Sequence, residues 1–181
     1  WIYGNYIGTD LTGNIVRSNG GNGIEIDASA GIQNRIGTNG DGFNDPAERN
    51  VISGNLIHGI TIAAKFATVA GNYIGTNAAG TAILKANNLS YDGVVTSPGA
   101  SDNTIGGTTD AERNVISGNY RGVSIGGTNN AIQGNYNGFA IYDISDPVKP
   151  VVVQTYFCPA SQNDVSVYKN LLFVSGEGQT G

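Results

Sequence analysis

The residues with the best claim to chemistry are few and scattered. Glu25 and Asp27 alternate along one short β-branched segment and form the best carboxylate pair in the chain. Paired carboxylates are the equipment of glycoside hydrolysis. No Arg or Lys occupies the equivalent positions of the next repeat, so the pair also reads as a solvated strand face. Asn39-Gly40-Asp41-Gly42-Phe43-Asn44-Asp45 is rich in oxygen ligands and punctuated by Gly, a composition that could wrap calcium. It lacks the EF-hand's ordered spacing and terminal Glu, and a polar turn with Asx capping competes with that reading. The other acids of the first three-quarters of the chain, Asp10, Glu48, Asp92, Asp102, Asp110 and Glu112, form no cluster in sequence.

Glu48-Arg49 and Glu112-Arg113 occupy the same place in a repeat. An Arg base is one use for them. A stacked ladder of ion pairs is the expected one, each exposed pair contributing about 0–1 kcal/mol. His58 is the only histidine and has no partner in sequence, which places it on the surface. Cys158 is the only cysteine, so no intrachain disulfide forms, and beside Pro159 it is expected to be buried or inert. A His/Cys zinc site needs more such ligands than the chain has. Tyr6, Tyr73 and Tyr136 are equivalent by repeat and should share a face. Such a row could stack on an extended glycan, but packing within the repeat is favoured. No catalytic residue, cofactor site or metal site is assigned, and calcium is the one ion left open.

What must position these residues is a repeat. Glu48-Arg49-Asn50-Val51-Ile52-Ser53-Gly54-Asn55 recurs unchanged at Glu112–Asn119, 64 residues on. Gly4-Asn5-Tyr6-Ile7-Gly8-Thr9 recurs at Gly71–Thr76 and in part at Gly134-Asn135-Tyr136. Asn34-Arg35-Ile36-Gly37 returns as Asn103-Thr104-Ile105-Gly106, and a Gly-apolar-x-apolar step begins at Gly23, Gly59 and Gly122. The spacing from Asn34 to Asn50 exceeds that from Asn103 to Asn114 by five residues, an insertion expected in a loop near Gly40 to Asn44.

The apolar segments are short, β-branched and bounded by Gly and Asn, with no helical periodicity. They predict coils of a solenoid in which Ile and Val point inward and stack at about 4.8 Å. Asn is expected to stack amide on amide at the corners, where stacked Asp carboxylates would repel. The 64-residue unit is expected to hold about three coils of roughly 21 residues.

This pattern of N-x-I-G-G, E-R-N-V-I-S-G-N, G-I-x-I and G-N-Y-I-G-T-(D/N)-x-x-G resembles the right-handed parallel β-helix repeats of the pectate-lyase-like superfamily over residues 1–137. The resemblance implies an all-β solenoid of the kind found in large secreted and cell-surface proteins. For enzymes of that superfamily it implies acidic clusters binding calcium on one face, with an Arg or Lys base. The same fold also serves adhesins and inert spacers.

From Gly138 the texture changes. Residues 1–137 hold 20 of 22 Asn and 24 of 28 Gly, while the remainder holds three of five Pro. Phe139-Ala140-Ile141-Tyr142-Asp143-Ile144-Ser145-Asp146-Pro147, then Pro150–Val153, Asp164–Tyr168, a turn at Lys169-Asn170 and Leu171–Val174 predict three or four antiparallel strands. This segment, 138–181, resembles one blade of an LVIVD-type β-propeller. It implies a cap on the solenoid, strands donated to a neighbour, or the start of a propeller.

Charged residues are only 13% of the chain and the net charge is −5. Lys and Arg are scattered singly, which argues against nucleic acid and against an anionic membrane surface. No apolar stretch reaches spanning length. The absence of Met suggests a processed chain or a fragment. The first coil opens in mid-motif without an evident polar cap, so head-to-tail stacking into filaments is expected. The reading is an extracellular or cell-surface structural or adhesive module that associates with itself or with other domains. The alternatives are a polysaccharide-active lyase or hydrolase and a non-catalytic glycan-binding module.

Overall fold

The computed structural model describes residues 1–86, 91–137, 139–143, 151–156, 163–168 and 171–176, the part after Asn135 as backbone strands. Cys158 and the Lys169-Asn170 turn lie outside the described residues. Two compact units divide the chain, Trp1–Asn135 and Tyr136–Gly181. The whole is nearly all-β.

In the first unit the chain winds through four coils of three short strands each. The first coil holds β1 (Tyr6–Ile7), β2 (Ile24–Ile26) and β3 (Arg35–Gly37), then one helical turn, α1 (Asp45–Glu48). The second holds β4 (Val51–Ile52), β5 (Ile60–Ile62) and β6 (Thr68–Ala70). The third holds β7 (Tyr73–Ile74), β8 (Val94–Thr96) and β9 (Thr104–Gly106), and the fourth β10 (Val115–Ile116), β11 (Val123–Ile125) and β12 (Ala131–Gln133). Corresponding strands pair in parallel and build three sheets, β1-β4-β7-β10, β2-β5-β8-β11 and β3-β6-β9-β12.

The core is the stack of inward side chains these pairings fix. Ile7, Ile52, Ile74 and Ile116 align in one sheet. Ile24, Ile60, Val94 and Val123 align in the next. Ile36, Val69, Ile105 and Ile132 align in the third, with Ile2 bridged above Ile36. Ile36, Ile60, Val69, Ile74, Val94 and Ile105 are wholly inaccessible to solvent. Each such side chain contributes about 1.5–3 kcal/mol relative to exposure. Thr96 interrupts the column of Ile26, Ile62 and Ile125, and its hydroxyl is satisfied by donating to the Gly126 carbonyl at 2.8 Å.

The asparagine corner forms as the repeats predict. Asn5, Asn50, Asn72, Asn114 and Asn135 make one ladder in which each Nδ2 donates to the next Oδ1, at 3.1, 2.8, 3.0 and 2.8 Å. Each backbone N–H along the ladder donates to the same acceptor. The second Nδ2 hydrogen of Asn50, Asn72 and Asn114 reaches a backbone carbonyl at Ile2, Ile36 or Val69. Only a side chain that is donor and acceptor at once can occupy every rung.

The coil count differs from expectation. The 64 residues from Val51 to Asn114 are two coils, not three: 22 residues from β4 to β7 and 42 from β7 to β10. The surplus lies outside the strands. After β1 and again after β7 the chain leaves the coil in an excursion closed by an antiparallel bridge, Thr9 to Val16 and Thr76 to Ile83. The lean second and fourth coils carry the Gly that receives it. Val16 packs on Gly54 and Ile83 on Gly118, where an added Cβ would stand 2.9 and 2.5 Å from the apolar side chain. The two excursions join each other through the Ala78 N–H and the Gly13 carbonyl at 2.9 Å. G-T-(D/N)-x-x-G is therefore the signature of this excursion rather than of a third coil.

The second unit contains β13 (Tyr136–Asn137), β14 (Phe139–Asp143), β15 (Val151–Tyr156), β16 (Asn163–Tyr168) and β17 (Leu171–Gly176). β14 with β15 and β16 with β17 form two separate antiparallel pairs, the first with an irregularity at Ile141/Tyr142.

Candidate functional site

The sequence candidates resolve one by one into local structure. Glu25 is exposed on β2 and faces Thr61 and Val95 along the sheet, so no second carboxylate or base meets it there among the described residues. Its Oε2 accepts from Asn22 Nδ2 at 3.2 Å. Asp27 lies just past the strand and closes an Asx turn, accepting the Ser29 N–H at 2.8 Å and its hydroxyl at 2.7 Å. The Ser29 backbone bond, helped by the hydroxyl, holds the Asp27 carboxyl below its ordinary value.

The Asn39–Asp45 loop turns its oxygens onto its own backbone. Asp41 accepts the Phe43 N–H at 2.8 Å, Asp45 accepts the Gly42 N–H at 3.0 Å, and the buried Asp45 also takes the Thr38 hydroxyl. The Asn39 and Asp41 side chains bond each other's groups across the turn. Among the described residues no three His, Cys, Asp or Glu side chains converge as a metal would require.

The Glu-Arg pairs do not stack as an ion ladder. Glu48 accepts the Asn39 N–H at 2.9 Å, and Glu112 accepts the N–H of Thr108 at 3.1 Å and of Thr109 at 3.2 Å. Each Glu therefore clasps the amide two residues after the strand glycine, Gly37 or Gly106, across loops of different length. That clasp is why the five-residue insertion leaves the coil undisturbed. Arg49 donates to the Gly71 carbonyl at 3.0 Å and lies 4.2 Å over the Tyr73 ring, while Arg113 pairs with Asp110 at 3.0 Å.

Tyr6 and Tyr73 do share a sheet, but Val51 stands between them and Val115 follows, so rings recur at every second strand. Tyr73 is covered on one face by Arg49, and Gly80 approaches it so closely that a Cβ would lie 2.9 Å from ring atoms. The side chain of Tyr136 lies outside the described residues.

His58 overturns the expectation that it has no partner. It belongs to a second polar column, at the residue preceding the Gly of each Gly-apolar-x-apolar step: Asn22, His58, Asp92, Arg121. Asn22 Oδ1 accepts the His58 N–H at 3.1 Å, and His58 Nδ1 accepts the Asp92 N–H at 3.1 Å. Arg121 then grips Asp92 bidentately, Nε to Oδ1 and Nη2 to Oδ2, both 2.8 Å. Asp92 is 2% exposed, and its hydrogen bond and charge raise the Arg121 guanidinium above its ordinary value. The Tyr91 ring meets His58 edge-on at 5.4 Å. A further glycine of the step, Gly93, follows Asp92, but Val94-Val95-Thr96 disguises the motif. That signal was available in the sequence as a column of pre-glycine residues.

The chemistry this column can do is limited by geometry. Because Nδ1 accepts a backbone hydrogen bond, the imidazole proton sits on Nε2. A carboxylate orienting a catalytic His in a triad instead accepts a hydrogen bond from its Nδ1–H. The Asp92 Oδ2 to Nδ1 separation is 3.9 Å, and both Asp92 oxygens already face Arg121. A cleft lies nearby, with Ser53, Asn55, Lys85, Tyr91 and Asn119 among its walls. No described helix is long and apolar enough to cross a membrane.

No family model, curated protein or solved structure matches the chain.

Proposed function

We propose that this chain is a non-catalytic structural or adhesive module of an extracellular or cell-surface protein, its first unit a right-handed parallel β-helix. One observation carries the reading. All ten carboxylates between Trp1 and Asn135 are engaged by the coil's own groups: Asp10, Glu25, Asp27, Asp41, Asp45, Glu48, Asp92, Asp102, Asp110 and Glu112. A general acid or base must be within reach of a substrate proton and free to transfer it. Here eight of the carboxylates close turns and loops and two, Asp92 and Asp102, bind the following coil instead, which is the work of a scaffold.

Incubation with acidic polysaccharides tests the reading, with release of unsaturated or reducing ends as the readout. No release is expected. Release that disappears in Asp27→Ala would establish the polysaccharide-active alternative. The self-associating form predicts a sedimentation coefficient that rises with concentration and filaments by electron microscopy; a monomer at every concentration removes it. Glycan-array binding lost in Tyr73→Ala would support a glycan-binding module, against which stands the Arg49 guanidinium over that ring.

A further inference from the structure

Asn is followed by Gly at four places: Asn19-Gly20, Asn22-Gly23, Asn39-Gly40 and Asn137-Gly138. In this dipeptide no side chain shields the glycine nitrogen, the nucleophile when an asparagine side chain cyclises. Gly138 lies outside the described residues, and the structure treats the other three differently.

At Asn22-Gly23 the nucleophile is tied down, because the Gly23 N–H donates to the His58 carbonyl at 2.9 Å. The Asn22 amide is held at both ends, by the His58 N–H and by Glu25. At Asn39-Gly40 the Gly40 N–H donates to Thr38 Oγ1 at 3.0 Å, and Asp41 holds both ends of the Asn39 amide. At Asn19-Gly20 the Asn19 carbonyl accepts the Leu56 N–H of the next coil at 3.2 Å. In a trans peptide the following N–H points the opposite way. The Gly20 N–H makes no hydrogen bond among the described residues, and nothing lies within 4 Å of where a Cβ would stand on Gly20 or Gly21. The exposed Asn19 amide has one restraint, Nδ2 to Asn55 Oδ1 at 3.0 Å. A single exposed hydrogen bond, in competition with water, is a weak restraint.

We propose that Asn19 is a site of spontaneous deamidation in the folded protein. The Gly20 nitrogen attacks Asn19 Cγ and closes a five-membered succinimide. The Cγ–Nδ2 bond breaks, and the Gly20 proton leaves with that nitrogen as ammonia. Water then adds to either imide carbonyl, leaving an aspartyl or isoaspartyl residue at position 19 and one more negative charge. The corner accommodates the product. Asn55 Nδ2 is buried without a partner among the described residues, so turning that amide over presents a donor to the new carboxylate.

The test is peptide mapping by mass spectrometry after the intact chain is held at mildly alkaline pH, with a urea-denatured sample alongside. In the folded chain the amide-to-acid mass shift is expected to accumulate at Asn19 several-fold faster than at Asn22 or Asn39. In urea the three sites should react alike. Gly20→Ala, which fills open space, should suppress the reaction at Asn19 while leaving the circular dichroism spectrum unchanged. Equal rates at the three sites in the folded chain overturn the proposal. So does an unreacted Asn19 under conditions where the denatured chain converts.

Discussion

Two polar columns run along this solenoid, and they solve the same problem in different ways. The corner ladder of Asn5, Asn50, Asn72, Asn114 and Asn135 repeats one residue. The column of Asn22, His58, Asp92 and Arg121 changes residue at every rung. An amide is donor and acceptor together, so each Asn satisfies the rung above and offers the same surface to the rung below. That ladder has no preferred order and can extend for as many coils as the chain supplies. In the second column each rung suits only the neighbour it has. A neutral acceptor takes the next backbone N–H twice, then a carboxylate meets a guanidinium, which only donates. Arg121 therefore ends the series. The first column supplies uniform cohesion, and the second fixes which coil follows which.

The comparison breaks most sharply at the centre of the amide ladder. Asn72→Asp removes the donor that serves Asn114, Ile36 and Ala70 and buries a carboxylate facing their oxygens. A loss of about 3–5 kcal/mol is expected, the scale of an uncompensated buried charge. The urea midpoint of unfolding measures it.

Asp92→Asn should matter less, although Asp92 is equally buried, because its partner Arg121 stays largely in water. The loss should shrink as salt is raised, because exposed charges are screened. The Asn72 effect should persist in salt. If both variants lose the same amount at every ionic strength, the two columns are not energetically distinct.

His58 offers a graded version. His58→Leu leaves the Asp92 N–H without its acceptor and should cost about 1 kcal/mol. His58→Asn restores an acceptor of the kind Asn22 already provides and should fall within about 0.5 kcal/mol of the parent. Thermal unfolding of the pair reads the difference.

The smallest effect is expected outside both columns. Asp27 has its carboxyl lowered by the Ser29 backbone and hydroxyl hydrogen bonds. A lowered value in the folded state means the contribution is present above the ordinary carboxylate range and is lost as pH falls through the folded value. NMR titration of the Asp27 carboxyl should therefore give a midpoint below that of Asp27 in the urea-unfolded chain, and Ser29→Ala should move it upward.

Much of the solenoid could be read from the residues alone. The doubled E-R-N-V-I-S-G-N and the recurring G-N-Y set the inward Ile and Val and the Asn corner, because period-two strands and a self-complementary amide leave little choice once coils stack. The repeat also marked where length could vary, near Gly40 to Asn44. What it did not reveal was the path between strands. The 64-residue unit reads as three coils from sequence, and the pairing of β4 with β7 and of β7 with β10, with Val16 seated on Gly54 and Ile83 on Gly118, makes it two with an excursion. The fate of charged side chains was equally hidden. Glu48 and Arg49 are adjacent in sequence yet serve different loops, and His58, Asp92 and Arg121 are 34 and 29 residues apart yet touch. Local sequence determines which residues face inward, since that depends on strand alternation and backbone hydrogen bonding. Which polar groups meet depends on coil length summed over all intervening loops, a quantity that exists only once the chain has wound.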